Sequence, residues 1–312
     1  PYLISGYITS ITDAFFESMS GFTTTGATIF DDVECLPHGM LFWRSLTQWI
    51  GGLGIVFFTI AVLPSLVGGN MKVFAAEATG PIKSKMHPRL STTAKWIWSI
   101  YSLLTITCIL SFHLAGMGWF DSVCYSMTTN ATGGFAPHNE SVAYFKSPLI
   151  EYIEILFQFL AGINFILLYT AIFKRKWKDM YRNSEFRLYV AIVTISTIWI
   201  SWLLVFRLGY DVEHALRCGL FQVVSFITTT GLFNDDAGQW PHITWVILGC
   251  CMFAGACAGS TSGGFKCVRS IIILKVMRNE FKRILHPNAV LPVKINGVSV
   301  PQSKVSGLLA FF

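Results

Sequence analysis

Apolar runs long enough to cross a bilayer recur along this chain, and nothing else in the sequence restricts its fold so severely. The clearest are Gly39 to Leu66, Trp96 to Leu114, Pro148 to Phe173 and Leu188 to Phe206. A helix needs roughly 20 apolar residues to span a hydrocarbon core. Over 312 residues the chain is 53% hydrophobic and 13% charged, with a mean hydropathy of +0.55, which excludes a single water-soluble core. The expected fold class is an all-α polytopic membrane protein. The chain begins with Pro1 and stops at Phe312 as another apolar run starts, so it reads as an internal fragment.

Charge placement predicts the orientation. Three segments are basic, Lys72 to Lys95, Lys174 to Arg187 and Lys275 to Lys304, and short basic loops stay on the cytoplasmic side. The segments between them carry Asp31, Asp32, Glu34, Glu140, Asp235 and Asp236 against Lys146, and are expected to face outward. The net charge of +6 then reflects topology and anionic lipid rather than nucleic acid. Eight cysteines form no C-x-x-C pair, and Cys250, Cys251 and Cys257 lie in apolar sequence, so neither a disulfide nor a zinc framework is expected. His113, His138, His214 and His242 show no metal-ligand spacing. Asn130 and Asn139 open weak glycosylation matches.

Between one basic loop and the next, the chain must cross the membrane an even number of times. Lys95 to Lys174 holds two crossings, yet "GWFDSVCYSMTTNATGGFAPHNES" lies between them, and its apolar half, Trp119 to Thr129, is too short to span. A re-entrant segment is expected. The layout recurs from Arg187 to Lys275, with a span at Leu188 to Phe206, a short helix near Asp211 to Ile227, "TTTGLFNDDAGQWP", and a second span from Trp240. The opening "SGFTTTGATIF" is the same unit without its first span. Aligned on glycine, "FESMSGFTTTGATIF", "CYSMTTNATGGFAPH" and "FQVVSFITTTGLFND" superpose Gly26, Gly133 and Gly231 at separations of 107 and 98 residues. The expected boundaries are 1–72, 73–178 and 179–286 for three repeats, and 287–312 for a cytoplasmic loop and the start of a fourth.

A glycine held in place while its neighbours vary suits a backbone closed to other residues. Irregular backbone at membrane depth is tolerated where it is buried in protein or lines a water-filled path. Three such turns converging on one axis would ring a pore. Carbonyls and threonine hydroxyls are neutral oxygens that bind a dehydrated monovalent cation and release it. The partly negative C-terminal end of each re-entrant helix favours a cation as well. The outer acidic residues either concentrate cations at the mouth or are solvated loop charges.

"FAGACAGSTSGGFKCVRS" is not a fourth such turn. Gly259 follows Gly231 by 28 residues, too few for two spans and a short helix. Gly255, Gly259, Gly263 and Gly264, with Ser260, Thr261 and Ser262, are expected to unwind the span that begins at Trp240. Lys266 and Arg269 either act inside the membrane or snorkel to its surface. Arg44, with Gln48, and Arg217 are expected to pair with pore-loop carboxylates such as Asp13 or Glu17. Glu151 and Glu154 are placed near the outer end of their span, leaving no buried acid at mid-depth for a coupled carrier.

"SGFTTTGAT", "MTTNATGGF", "SFITTTGLF" and "AGACAGSTSGGFKCVRS" together resemble the Trk/Ktr/HKT superfamily of potassium transporters, most closely the TrkH subunits of bacterial Trk systems. The resemblance implies four helix, pore-loop, helix repeats in pseudo-fourfold array around one pathway, of which three filters are present. It implies main-chain potassium binding at Thr24, Thr25 and Gly26, at Ala131, Thr132 and Gly133, and at Thr229, Thr230 and Gly231. A glycine at Gly26 points to potassium over sodium. The same resemblance makes the broken span an intramembrane gating loop, with Gly255, Gly259, Ser260, Thr261, Gly263, Gly264 and Lys266 as its key residues. It further implies potassium uptake across the bacterial inner membrane, a homodimer, and a cytoplasmic nucleotide-binding regulatory subunit that is TrkA-like. The chain itself has no G-x-G-x-x-G after a strand. The transported potassium ion is the expected cofactor, with no organic group and no enzymatic step. The alternative within transport is a proton- or sodium-coupled symporter with alternating access. A membrane enzyme would need a nucleophile and base that the sequence does not present.

Overall fold

The computed structural model describes residues 1–54, 90–285, 291–296, 298–301 and 305–307. Most of the basic segment from Lys72, and the inner part of the apolar run to Leu66, lie outside them. Helices account for nearly all of the regular secondary structure among the described residues. The first unit contains α1 (Ile11–Phe22) and α2 (His38–Gly52). The second contains α3 (Leu90–Leu114), α4 (Trp119–Ala131), α5 (Pro148–Ala161) and α6 (Phe165–Ile172). A short α7 (Trp177–Arg182) leads to the third, with α8 (Ser184–Leu203), α9 (Val212–Ile227), α10 (His242–Ala254) and α11 (Cys267–Leu285). Two short strands, Lys294–Ile295 and Val298–Ser299, form an antiparallel hairpin near the end.

Local chemistry sets several of the helix starts. The Ser10 hydroxyl accepts from Asp13 N at the start of α1, and the Asp211 carboxylate accepts from Glu213 N at the start of α9. Pro148 opens α5 at a position where no amide donor is needed. Asn183 receives the amides of Glu185 and Phe186 and so launches α8. Among the described residues, two helices are long and apolar enough to cross a membrane, Lys95–Leu114 and Ser184–Leu208, at two of the places the sequence predicts. Their outward stripes, including Leu103, Ile106 and Leu110 on one and Ile195, Ile198, Trp199 and Trp202 on the other, remain exposed, as helices facing hydrocarbon require. The shorter α9 is instead enclosed, with Ala215, Phe221, Val224 and Ile227 fully buried.

The run from Pro148 to Phe173 departs from expectation. It is two helices, α5 and α6, bent through 104° at Gly162 to Asn164. The freed backbone finds partners in the third repeat, which removes the cost that would otherwise keep the helix straight. Gly162 O accepts from Cys257 N at 3.1 Å, and Phe165 N donates to Gly259 O at 3.0 Å. Asn164 caps α6 by accepting from Ile166 N at 2.8 Å, and its Nδ2 donates to Ala258 O at 2.5 Å. The expected break after Trp240 is present as well: α10 ends at Gly255, φ +65°, and the helix resumes at Cys267.

Two buried arginines tie the units together. Arg44 Nε lies 3.1 Å from Glu17 Oε1, and the guanidinium sits 4.2 Å from the centre of the Phe135 ring. Glu17 also accepts from Thr28 Oγ1 at 3.0 Å and Ile29 N at 3.1 Å, which compensates its burial. Arg44 thus finds one of its two expected partners. Arg217 finds neither, and pairs with Glu151 at 3.2 Å and Glu213 at 3.5 Å. The packing of α9 against α5, a contact between repeats, puts Glu151 closer than any acid of the first unit.

Candidate selectivity filter and intramembrane loop

Each of the three short helices ends in the same backbone motif. A threonine takes the left-handed conformation, at Thr24 (φ 53°), Thr132 (φ 53°) and Thr229 (φ 55°), and two residues later a glycine does so, at Gly26 (φ 78°), Gly134 (φ 87°) and Gly231 (φ 82°). The hydrogen bonds repeat residue for residue. Thr24 N, Thr132 N and Thr229 N donate to Gly21 O, Thr129 O and Phe226 O at 3.0, 3.1 and 3.1 Å. Thr25 N, Gly133 N and Thr230 N donate to Ser20 O, Thr128 O and Ser225 O at 2.9, 3.0 and 2.8 Å.

These equivalences shift the second filter by one residue from the sequence alignment. Gly134, not Gly133, matches Gly26 and Gly231, so the repeat distances are 108 and 97 residues. Ala131 then falls opposite Thr23 and Thr228, one position before the filter core formed by Thr132, Gly133 and Gly134. The "TGG" sequence offers two glycines, and only the backbone reveals which one needs a positive φ.

The three strands lie side by side in chain order. A Cβ built on Gly26 would collide with Gly133 O, and one built on Gly134 would collide with Thr230 O. On Gly231 it would meet nothing within 4 Å among the described residues. The loops that follow the filters interlock too. Asn139 accepts from Val33 N at 3.0 Å and donates to Asp32 Oδ1 at 2.7 Å, and Val142 N donates to Phe233 O at 3.1 Å. The Asn139 amide, with the Glu34 backbone amide, holds the Asp32 carboxyl below its ordinary pKa. Asp32 is thereby part of a joint between loops.

Side chains stiffen the filters in two ways. Hydroxyls pair across the left-handed threonine in the first and third, Thr23 with Thr25 at 2.8 Å and Thr228 with Thr230 at 2.7 Å. In the second, those places hold Ala131 and Gly133, and Gln48 of α2 enters instead. Its Nε2 donates to Gly133 O at 2.8 Å, while its Oε1 accepts from Phe135 N at 3.0 Å and from Thr128 Oγ1. The sequence reading groups Gln48 with Arg44 and does not reach this contact; the available signal was a long polar side chain one helical turn after Arg44, on the same face of α2.

The loop between α10 and α11 lies against the inner ends of the second and third filters. Gly263 N donates to Thr229 Oγ1 at 2.7 Å, Thr261 Oγ1 to Asn130 O at 2.9 Å, and Ser262 Oγ to Ile227 O at 3.5 Å. Gly255, Gly259 and Gly264 take left-handed φ values of 65°, 75° and 75°, whereas Gly263 does not. Ser260 makes a turn inside the loop, its hydroxyl donating to Cys257 O at 2.6 Å. Lys266 is 6% exposed and its Nζ donates to Ser262 O, which rules out snorkelling for this residue. Arg269 is half-buried, 5.7 Å from the Phe265 ring centre. Glu185 of α8 accepts from Ala258 N and fixes the loop from a third side.

A family description for TrkH, a cation transport protein, matches residues 3–312. The chain belongs to the TrkH family. It is 42% identical over 305 residues to the Trk system potassium uptake protein TrkH of Salmonella typhimurium, covering 97% of this chain and 63% of that protein. It is 38% identical over 302 residues to the potassium uptake protein TrkG of Escherichia coli, covering 96% of this chain and 62% of that protein. The crystal structure of the potassium transporter TrkH from Vibrio parahaemolyticus superposes with a TM-score of 0.83 at 38% identity, covering 97% of this chain and 62% of that one. The TrkH-family chain thus has the all-α membrane fold expected, and spans a little under two thirds of the length of these relatives.

Three further placements in the TrkH-family chain bear on the sequence reading. Glu154, expected near the outer end of its span with no buried acid at mid-depth, is fully buried. Its carboxylate accepts from Thr129 Oγ1 at 2.7 and 2.9 Å and from Gln158 Nε2 at 2.9 Å. The packing of α4 against α5 sets this turn of α5 behind the second filter. His214, Cys218 and Asp235 bring ligand-type atoms within 4.8 Å of one another, although no spacing suggested it. Arg217 Nη2 lies 3.0 Å from His214 Nδ1, and Asp235 Oδ2 accepts from Tyr210 and Trp240, so these groups are engaged with protein. Asn130 is fully buried in α4, which removes it as a glycan acceptor in this fold.

Proposed function

We propose that this TrkH-family chain is the pore-forming part of a potassium uptake system of the bacterial inner membrane. One observation carries the reading: three equivalent left-handed filters adjoin one another in chain order, with an intramembrane loop bonded to the inner ends of two. The potassium sites are main-chain oxygens of Thr24, Thr25 and Gly26, of Thr132, Gly133 and Gly134, and of Thr229, Thr230 and Gly231. Ala131, the residue before the second filter core, contributes its carbonyl at the inner edge. Neutral oxygens replace water around the ion without holding it too tightly. The C-terminal ends of α1, α4 and α9 add a partial negative charge at the inner side.

The loop from Gly255 to Gly264 acts as the gate, with Gly259, Ser260, Thr261, Gly263 and Lys266 holding its closed form. The bend between α5 and α6 is its latch, because three hydrogen bonds join the two broken helices. The repeats run 1–72, 73–178 and 179–286, with 287–312 continuing beyond them. The working assembly is a homodimer with a cytoplasmic nucleotide-binding subunit that moves the loop, and the chain performs no chemistry of its own. The test is the reversal potential of reconstituted full-length protein under bi-ionic gradients, with and without that subunit. A reversal potential indifferent to the potassium gradient would sink the pore reading. Deleting Gly255 to Gly264 with a short closing linker should raise basal flux, and unchanged or lower flux from a folded protein would count against a gate.

Glu154 favours one second reading, coupled symport with a proton or sodium ion. A buried carboxylate with no arginine on it suits a coupling site. An imposed pH gradient should then drive potassium uptake into vesicles, and Glu154→Gln should abolish that uptake. Uptake driven by the potassium gradient alone, at every pH, would leave the pore reading in place.

A further inference from the structure

The second filter departs from its neighbours at one point, and a side chain from another repeat fills the gap. We propose that Gln48 is a specificity-determining residue of the pore, a carboxamide lent by the first repeat that fixes the carbonyls of the second filter. The inference rests on reading these segments as an ion filter.

In the first and third filters a hydroxyl pair staples the strand across its left-handed threonine. Ala131 and Gly133 cannot form that staple. Gln48 is fully buried and grips the second strand on both sides of Gly134, at Gly133 O and Phe135 N. Its orientation is fixed, because Oε1 receives an amide and the Thr128 hydroxyl. A flipped carboxamide would set two donors against each other. The strand's own donors and acceptors therefore define which way the side chain lies.

Gly133 completes the device. Its φ is not left-handed, so its backbone does not demand glycine. A Cβ there would instead fall on the Gln48 carboxamide. A small residue plus a long amide thus replaces two threonines. Gly133 O also abuts Gly26, so Gln48 sets the spacing between the first and second filters. Selection between ions of different size depends on the placement of such oxygens, and a strand without its brace would lose discrimination before it lost conduction.

The experiment uses full-length protein in proteoliposomes and reads the potassium-to-sodium permeability ratio from bi-ionic reversal potentials. Gln48→Met keeps the volume and removes every hydrogen bond; the ratio should fall about tenfold while cation flux persists. Gly133→Thr alone should abolish flux, because the side chain meets Gln48. The triple variant Gln48→Ala, Ala131→Thr, Gly133→Thr recreates the hydroxyl staple and should recover flux and selectivity together. An unchanged ratio in Gln48→Met overturns the proposal, and so does a triple variant no better than Gly133→Thr. A wild-type protein without potassium selectivity would overturn the filter reading itself, an outcome visible before any variant is made.

Discussion

Asn164 offers the sharpest test of the gate, because one amide does two separable jobs. Its Oδ1 caps α6, and its Nδ2 donates to Ala258 O in the intramembrane loop at 2.5 Å. Serine keeps the cap, since its hydroxyl also accepts from a helix amide, but it is too short to reach the loop. Asn164→Ser therefore removes one hydrogen bond from the closed arrangement and leaves the helix start intact. Losing such a bond costs about 0.5 to 1.5 kcal/mol, which shifts a closed-to-open equilibrium by about 2- to 13-fold. If the closed form predominates, basal potassium efflux from proteoliposomes should rise by that factor in the absence of any cytoplasmic subunit. Asn164→Ala should give the same rise in flux with a further loss of stability, about 1 kcal/mol from the missing cap. Unchanged or lower flux in a folded Asn164→Ser protein would refute the latch. A rise confined to the alanine variant would assign the effect to the helix cap.

Three other outcomes follow from the geometry. Gly134→Ala should abolish flux, because its φ of 87° disfavours a side chain and its Cβ would strike Thr230 O; Gly39→Ala, which faces open space, should conduct normally in the same assay. Arg44→Ala leaves the buried Glu17 carboxylate without its cation and should cost about 3 to 5 kcal/mol, read from the denaturation midpoint of the purified protein. The exposed pair of Arg283 with Glu280 provides the contrast: Arg283→Ala should change stability by under about 1 kcal/mol in the same measurement.

What was legible in the sequence was what depends on local pattern. Short apolar helices that cannot span, each followed by a threonine-rich turn, mark where the three left-handed turns stand, the second displaced by one residue. The small-residue run near Gly259 marks the broken helix for the same reason. The misses all arise where a distant partner decides. Leu160 to Phe165 reads as continuous apolar helix, and it bends because Cys257, Ala258 and Gly259 supply hydrogen bonds from the next repeat. The one-residue slip comes from aligning on Gly133, the first of two glycines, when Gly134 carries the positive φ and Gly133 answers to Gln48. Glu154 looked peripheral along the chain, and packing of α4 against α5 enclosed it.

The abutment of each filter on the next bears on how such a protein is made. A left-handed threonine costs about 1 to 3 kcal/mol, and surrounding structure must hold it there. Gly26 rests against Gly133, and Gly134 against Thr230, each a residue that leaves the ribosome one repeat later. A nascent chain therefore carries an unfinished first filter until the second has been inserted, and an unfinished second until the third arrives. Quality control that senses loose pore segments would act on chains stalled between repeats.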